Sequence, residues 1–171
     1  MASKYLELTS SGTAEKEALV TSAGAADGGK IVALNSSGKV DETMMPDGIG
    51  ADTTVAVAYE NLAASNLVNL FNDGGTLKAR KADASGGFAK QADGFVKTSF
   101  ATGASATVYN DGMVTGLTGL TVGAKYYLSG SAAGSVSATP PTTAAYISQY
   151  VGKAKSATEL IFEQGEPILR V

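Results

Sequence analysis

Histidine, cysteine and tryptophan are all missing from the 171 residues. Without cysteine there is no disulfide, no thiolate metal site and no cysteine nucleophile. Without histidine, the one side chain that titrates unperturbed near neutral pH is gone. Ser-His-Asp hydrolysis, histidine-ligated zinc and most general-base schemes fall away together. The composition therefore argues against an enzyme, and no cofactor is expected. Charge is also sparse, with 13 Lys and Arg against 16 Asp and Glu for a net −3. Mild acidity argues against nucleic acid, whose phosphates call for clustered Lys and Arg. No run approaches the ~18 apolar residues of a membrane span. The opening Met1-Ala2-Ser3-Lys4-Tyr5-Leu6-Glu7 lacks the apolar stretch of a secretory signal. Neither a membrane nor nucleic acid is an expected partner, and synthesis in the cytoplasm is expected.

Glycine, by contrast, is plentiful at 21 residues, and 44% of the chain is apolar. A core can form, so the composition is not that of a disordered chain. The residues are unevenly spread. Residues 1–50 hold 4 basic and 7 acidic side chains and one aromatic, Tyr5, whereas residues 51–171 hold 9 of each charge and the other 11 aromatics. Aromatics dominate core burial, which places the core after residue 50. Residues 1–50 read as an extended arm with short ordered pieces: a strand at Tyr5-Leu6-Glu7-Leu8, one helical turn over residues 14–19 capped by Thr13, and a short apolar run at Ile31-Val32-Ala33-Leu34. Turns follow at Asn35-Ser36-Ser37-Gly38 and at Met44-Met45-Pro46-Asp47-Gly48. Such pieces bury little against each other. Tyr5, Leu6, Leu8, Ile31, Leu34, Val40, Met44 and Met45 are therefore the candidate contacts for a partner or a neighbouring subunit.

Residues 51–171 alternate with period two. Strands are expected over 54–59, 66–71, 76–81, 94–100, 104–109, 125–129, 146–151, 159–163 and 168–171. Residues 60–71 also fit a helix, but the Gly-rich turn after them favours a loop and then a strand. Asn72-Asp73-Gly74-Gly75 and Asn110-Asp111-Gly112 offer the positive φ of tight hairpins. Ala84-Ser85-Gly86-Gly87 reads as a flexible loop and Pro140-Pro141 as an extended one. Many short strands at this spacing make the fold mainly β, an antiparallel sandwich or barrel.

The motifs that carry chemistry elsewhere are weak here. Gly24-Ala25-Ala26-Asp27-Gly28-Gly29-Lys30 fits the start of a phosphate-binding loop, but Ile31 stands where a Ser or Thr would hold Mg²⁺, so it reads as a loop. Asn35-Ser36-Ser37 fits a glycosylation pattern and reads as a turn. Ser156-Ala157-Thr158-Glu159 has capping-box spacing, yet the short β-prone run after it favours a turn between strands. Lys78, Arg80 and Lys81 form one basic cluster, read as a solvated strand face. Glu159 and Glu163 share the wet side of a strand. Asp83, Asp93 and Asp111 sit in turns, and a loop Ca²⁺ site stays open without the spacing of an EF-hand. Tyr146 and Tyr150 share one strand face and Ile147 and Val151 the other. The two tyrosines form an outward aromatic patch if Ile147 and Val151 face the core.

The stretches Gly123-Ala124-Lys125-Tyr126-Tyr127-Leu128-Ser129, Ala138-Thr139-Pro140-Pro141-Thr142-Thr143 and Ile147-Ser148-Gln149-Tyr150-Val151-Gly152-Lys153-Ala154-Lys155-Ser156-Ala157-Thr158-Glu159-Leu160-Ile161-Phe162 resemble the β-rich domain of capsid decoration (cement) proteins of tailed bacteriophages. The resemblance spans about residues 53–169. Gly29-Lys30-Ile31-Val32-Ala33-Leu34-Asn35-Ser36-Ser37-Gly38-Lys39-Val40, with Met45-Pro46, also resembles linking segments of phage fibre proteins. The first resemblance implies a homotrimer on the outer surface of a phage head, bridging and stabilising major capsid protein subunits with no chemistry of its own. The second keeps open a tail or fibre component that binds a host receptor or glycan.

Overall fold

The computed structural model describes residues 4–45 and 50–171. The chain divides into two compact units, Met1–Gly50 and Ala51–Val171. The turn expected at Pro46-Asp47-Gly48 lies outside the described residues.

The first unit opens with an antiparallel hairpin of β1 (Lys4–Thr9) and β2 (Gly12–Glu17), with Leu6 opposite Glu15 and Leu8 opposite Thr13. This corrects the helical turn expected over residues 14–19. The reason is pairing across the hairpin. Lys4 meets Glu15, and Lys16 lies 3.7 Å from Glu7, so charges that look helical in sequence are cross-strand partners. At the turn, the Thr9 hydroxyl donates to the Gly12 carbonyl at 2.6 Å. Beyond the hairpin, Leu19 and Val32 form a parallel bridge, and 3-10 turns occupy Ala25–Asp27 and Glu42–Met44.

The second unit is mainly β, as expected, and contains a closed barrel. Its strands are β3 (Thr53–Ala58), β4 (Leu67–Asp73), β5 (Thr76–Lys81), β6 (Gly94–Phe95) and β7 (Ser105–Tyr109), in the order β3-β5-β4-β6-β7. The pairs are antiparallel except β3 with β5, which run parallel. Gly74 and Gly75, at φ 61° and 86°, form the two-residue β4–β5 turn. Both residues there need the left-handed region. The barrel interior is lined by the small members of each alternation. Ala56, Ala58, Ala79 and Ala106 are buried with Leu62, Val68, Val96 and Val108. Five strands enclose a narrow space that alanine fills and larger side chains would overfill.

Beside the barrel stands a second sheet, built from β8 (Gly112–Thr115), β9 (Lys125–Leu128), β10 (Val136–Ser137), β12 (Tyr150–Ala154) and β13 (Glu159–Phe162), ordered β10-β9-β12-β13-β8. The short strands β11 (Ile147–Ser148) and β14 (Ile168–Leu169) pair separately. Leu67 and Phe95 of the barrel strands share a core with Val114, Tyr126, Leu128, Ile147, Val151, Leu160 and Phe162. Phe95 stacks on Tyr109 at 5.6 Å and meets Phe162 at the same centroid distance.

Several strand expectations need correction. Asn110-Asp111-Gly112 closes no hairpin: β7 belongs to the barrel and β8 pairs with β13. The strand expected over residues 94–100 is reduced to β6 at Gly94–Phe95 and an isolated antiparallel bridge from Phe100 to Leu62, with Val96 bonded to the Asn66 carbonyl between them. The final strand is limited to Ile168–Leu169. Residues 84–87 belong to 3-10 turns over Ala84–Lys90, kinked at Gly87, with Ala84 buried. The Asp83 carboxylate anchors them by accepting from the Ser85 N–H and hydroxyl.

The expected strand 146–151 breaks at Gln149. This side chain is fully buried. Its Oε1 accepts from the Ala92 N–H at 2.7 Å, and its Nε2 donates to the Ala92 carbonyl at 2.9 Å and the Gly165 carbonyl at 3.2 Å. A side-chain amide thus takes the place of a neighbouring strand for a residue 57 positions away. Gln149→Ala removes all three bonds, leaves the buried Ala92 N–H unpaired and opens a cavity. The expected loss of stability is about 2–5 kcal/mol, measured as a lower urea midpoint, with Gln149→Glu also destabilising because the Nε2 donors are lost.

Candidate functional site

No described residue of the first unit is buried. On β1, Leu6 and Leu8 point to the same side and are 73% and 84% exposed. Tyr5 lies on the opposite face, half-buried, with Lys16 as its cross-strand neighbour. The hairpin therefore brings Leu6 and Leu8 together and separates Tyr5 from them. Ile31 and Leu34 flank the Val32 bridge and are more than half exposed. Val40 and Met45 are exposed too, whereas Met44 is half-buried and lines a pocket of about 250 Å³ with Leu19, Val32 and Lys30. The unit's order comes from polar loops. The Asp27 carboxylate accepts from the Lys30 ammonium at 2.7 Å and the Ala23 N–H at 2.6 Å, and these bonds, the lysine first, hold it below the usual carboxylate range. The Thr43 hydroxyl and N–H do the same for Asp41. Asn35 Oδ1 accepts from the Ser37 and Lys39 N–H groups, which makes residues 35–39 a turn.

In the second unit, Ile147 and Val151 are fully buried and Tyr146 and Tyr150 half-buried. The break at Gln149 gives the two tyrosines different neighbours. Tyr146 lies against Gly130. Tyr150 meets the Tyr127 ring edge-on at 6.3 Å and donates to Glu163 Oε2 at 3.1 Å. Burial first, then that carboxylate, pushes the Tyr150 phenol above its ordinary value.

Sequence alternation alone did not single out the outer barrel face. There Val55 and Tyr59 are exposed, Tyr59 meets Phe71 edge-on at 5.3 Å, and the Arg80 guanidinium sits 4.1 Å from the Phe71 centroid. The expected basic cluster is largely engaged. Lys78 pairs with Asp73 at 2.6 Å, Lys81 lies 3.6 Å from Glu60, and Arg80 donates to Asn69 Oδ1 and the Ala89 carbonyl. Asp93 is structural, accepting from Asn69, Leu70, Gln91 and Gln164. Among the described residues, no three acidic side chains converge on a point that could hold a metal ion, and no helix is long and apolar enough to cross a membrane.

No family model matches the chain, and no curated protein matches it. Among solved structures, the chain is similar to one described as the crystal structure of head fiber gp8.5 N base in bacteriophage phi29. The identity is 13%, with 68% of this chain and 98% of that chain covered, at a TM-score of 0.47. A likeness at that level defines neither a family nor a role for this chain.

The raised Tyr150 phenol has a measurable consequence. The unfolded chain ionises this group near pH ~10, while the folded protein keeps it protonated to higher pH. Its contribution to stability is thus complete below pH ~10 and is lost as the pH rises through the folded value. In absorbance titration at the phenolate band, one of the 7 tyrosines is expected to ionise after the ordinary range. Tyr150→Phe should remove that late step, and Glu163→Gln should bring it earlier.

Proposed function

We propose that the protein is a structural component of a tailed-bacteriophage virion: a decoration protein that binds the outer surface of the head and bridges major capsid subunits. The observation that carries this reading is the state of residues 1–50. They hold Leu6, Leu8, Ile31, Leu34 and Met45 at the surface, and none of the described ones is buried. Apolar surface of this kind gains free energy when a partner removes it from water, at ~25 cal/mol per Å². Residues 51–171 supply the anchor, with two buried cores and every buried side-chain N or O among the described residues hydrogen-bonded. The order of residues 123–162 resembles decoration proteins, and gripping a shell asks for no His or Cys chemistry.

On this reading residues 1–50 dock on the capsid and residues 51–171 form the body of a homotrimer. Linked copies raise the effective concentration of each further contact.

Deletion of residues 2–48 is expected to leave a folded body that no longer co-sediments with purified phage heads. The paired substitution Leu6→Ser with Leu8→Ser should weaken head binding in the intact chain while leaving its melting temperature within about 1 °C, since both side chains are exposed. Undiminished head binding by the deletion variant would overturn the assignment of residues 1–50. Binding of the intact protein to host envelope and not to heads would favour a tail or fibre component. A solution mass of three chains is expected, and a monomer at working concentration would contradict the trimer.

A further inference from the structure

A cleft of about 360 Å³ opens where the loop after β9 meets the segment after β10. That volume is at the low end of the ~300–1,000 Å³ range of small-molecule sites. One wall is the ring of Tyr146. It lies so close to Gly130 that a Cβ there would stand 2.7 Å from the ring's Cδ2. Glycine at that position therefore lets the ring rest on the backbone. Pro140 and Pro141 also line the cleft, together with the hydroxyl-bearing Ser131, Thr139, Thr142 and Thr143. No Asp, Glu, Lys or Arg is among the lining residues.

The walls are fixed before any ligand arrives. The Arg170 guanidinium Nε donates to the Pro141 carbonyl at 3.0 Å. The Arg170 N–H donates to the Tyr146 carbonyl, and the Ala145 N–H donates to the Arg170 carbonyl, both at 2.8 Å. Between them Ala145 is held at φ 67°, a left-handed conformation that a Cβ-bearing residue seldom adopts. Strain of this kind persists where the surroundings over-determine it, and it clusters at ligand clamps. Ser137, another lining residue, fixes the turn into the prolines by donating to the Thr139 carbonyl at 2.7 Å.

We propose that this cleft binds a neutral saccharide, one pyranose ring stacking on Tyr146 while the Ser and Thr hydroxyls and nearby backbone groups bond its hydroxyls. The chemistry selects the class. A lining of uncharged donors and acceptors beside a flat ring offers nothing to balance a phosphate or carboxylate. It does match a molecule with an apolar ring face and a polar edge. This inference stands apart from head binding by residues 1–50, since every residue in it lies in residues 129–170.

The test is amide chemical-shift titration of the ¹⁵N-labelled full chain with methyl α-D-glucopyranoside, methyl β-D-galactopyranoside and N-acetylglucosamine, and with inorganic phosphate as a charged control. At least one sugar is expected to give saturable millimolar shifts centred on Ser131, Thr139, Thr142, Thr143 and Tyr146. Tyr146→Ala should weaken binding about tenfold, the value of one lost stacking contact, whereas Tyr146→Phe retains it. Gly130→Ala should also weaken it by displacing the ring, with the rest of the amide spectrum preserved. No sugar-dependent shift at these amides overturns the proposal. So do shifts that survive Tyr146→Ala unchanged, or phosphate binding in preference to every sugar.

Discussion

The second unit is held together at the point where the Gln149 amide meets the Ala92 peptide. Ala92 follows the 3-10 turns and leads into Asp93 and β6, so its position decides how the barrel meets the other sheet. A buried peptide group must find a donor and an acceptor, and no strand runs alongside to supply them. Gln149 supplies both and reaches the Gly165 carbonyl as well. Three separate stretches of chain are fixed by one side chain. The cost of losing it is large because the orphaned groups lie out of reach of water.

Around that point the unit solves two packing problems differently. Within the barrel the space is small, so alanines face inward and the larger Val55 and Tyr59 face out. Between barrel and sheet the space is larger, and aromatic side chains fill it, with Phe95 meeting both Tyr109 and Phe162. The first unit solves neither problem. It holds its shape with loop carboxylates and cross-strand charges, and surface pairs of that kind are worth ~0–1 kcal/mol each.

Much of the β architecture was legible in the residues. Period-two alternation marked β3, β5, β7, β9 and β13 within a residue or two of their ends, because these strands have one wet and one dry face. Inward and outward faces were harder to tell apart. Alternation through β3 and the residue after it shows Val55, Val57 and Tyr59 on one side, but only the narrowness of the barrel makes the alanine side the interior. The strand read at Tyr5-Leu6-Glu7-Leu8 is β1, but β2 and its pairing escaped because the partners are charges on separate strands, visible only once the register is known. The break at Gln149 escaped because a single polar residue inside an apolar run reads as continuous strand. For the candidate contacts, strand parity already separates Tyr5 from Leu6 and Leu8. The Tyr146 cleft was not readable, since Gly130, Pro140 and Arg170 are brought together by folding alone.

The barrel is written in one continuous stretch, residues 53–109, while the side chains that cover its Phe95 face come from residues 114–162. A ribosome adds roughly 5–20 residues each second. For several seconds, then, the stretch that makes the ring has been synthesised while the residues that shield its oily flank have not. Translation speed through that interval, and whatever holdase greets the emerging polypeptide, bear directly on how much finished protein a cell recovers.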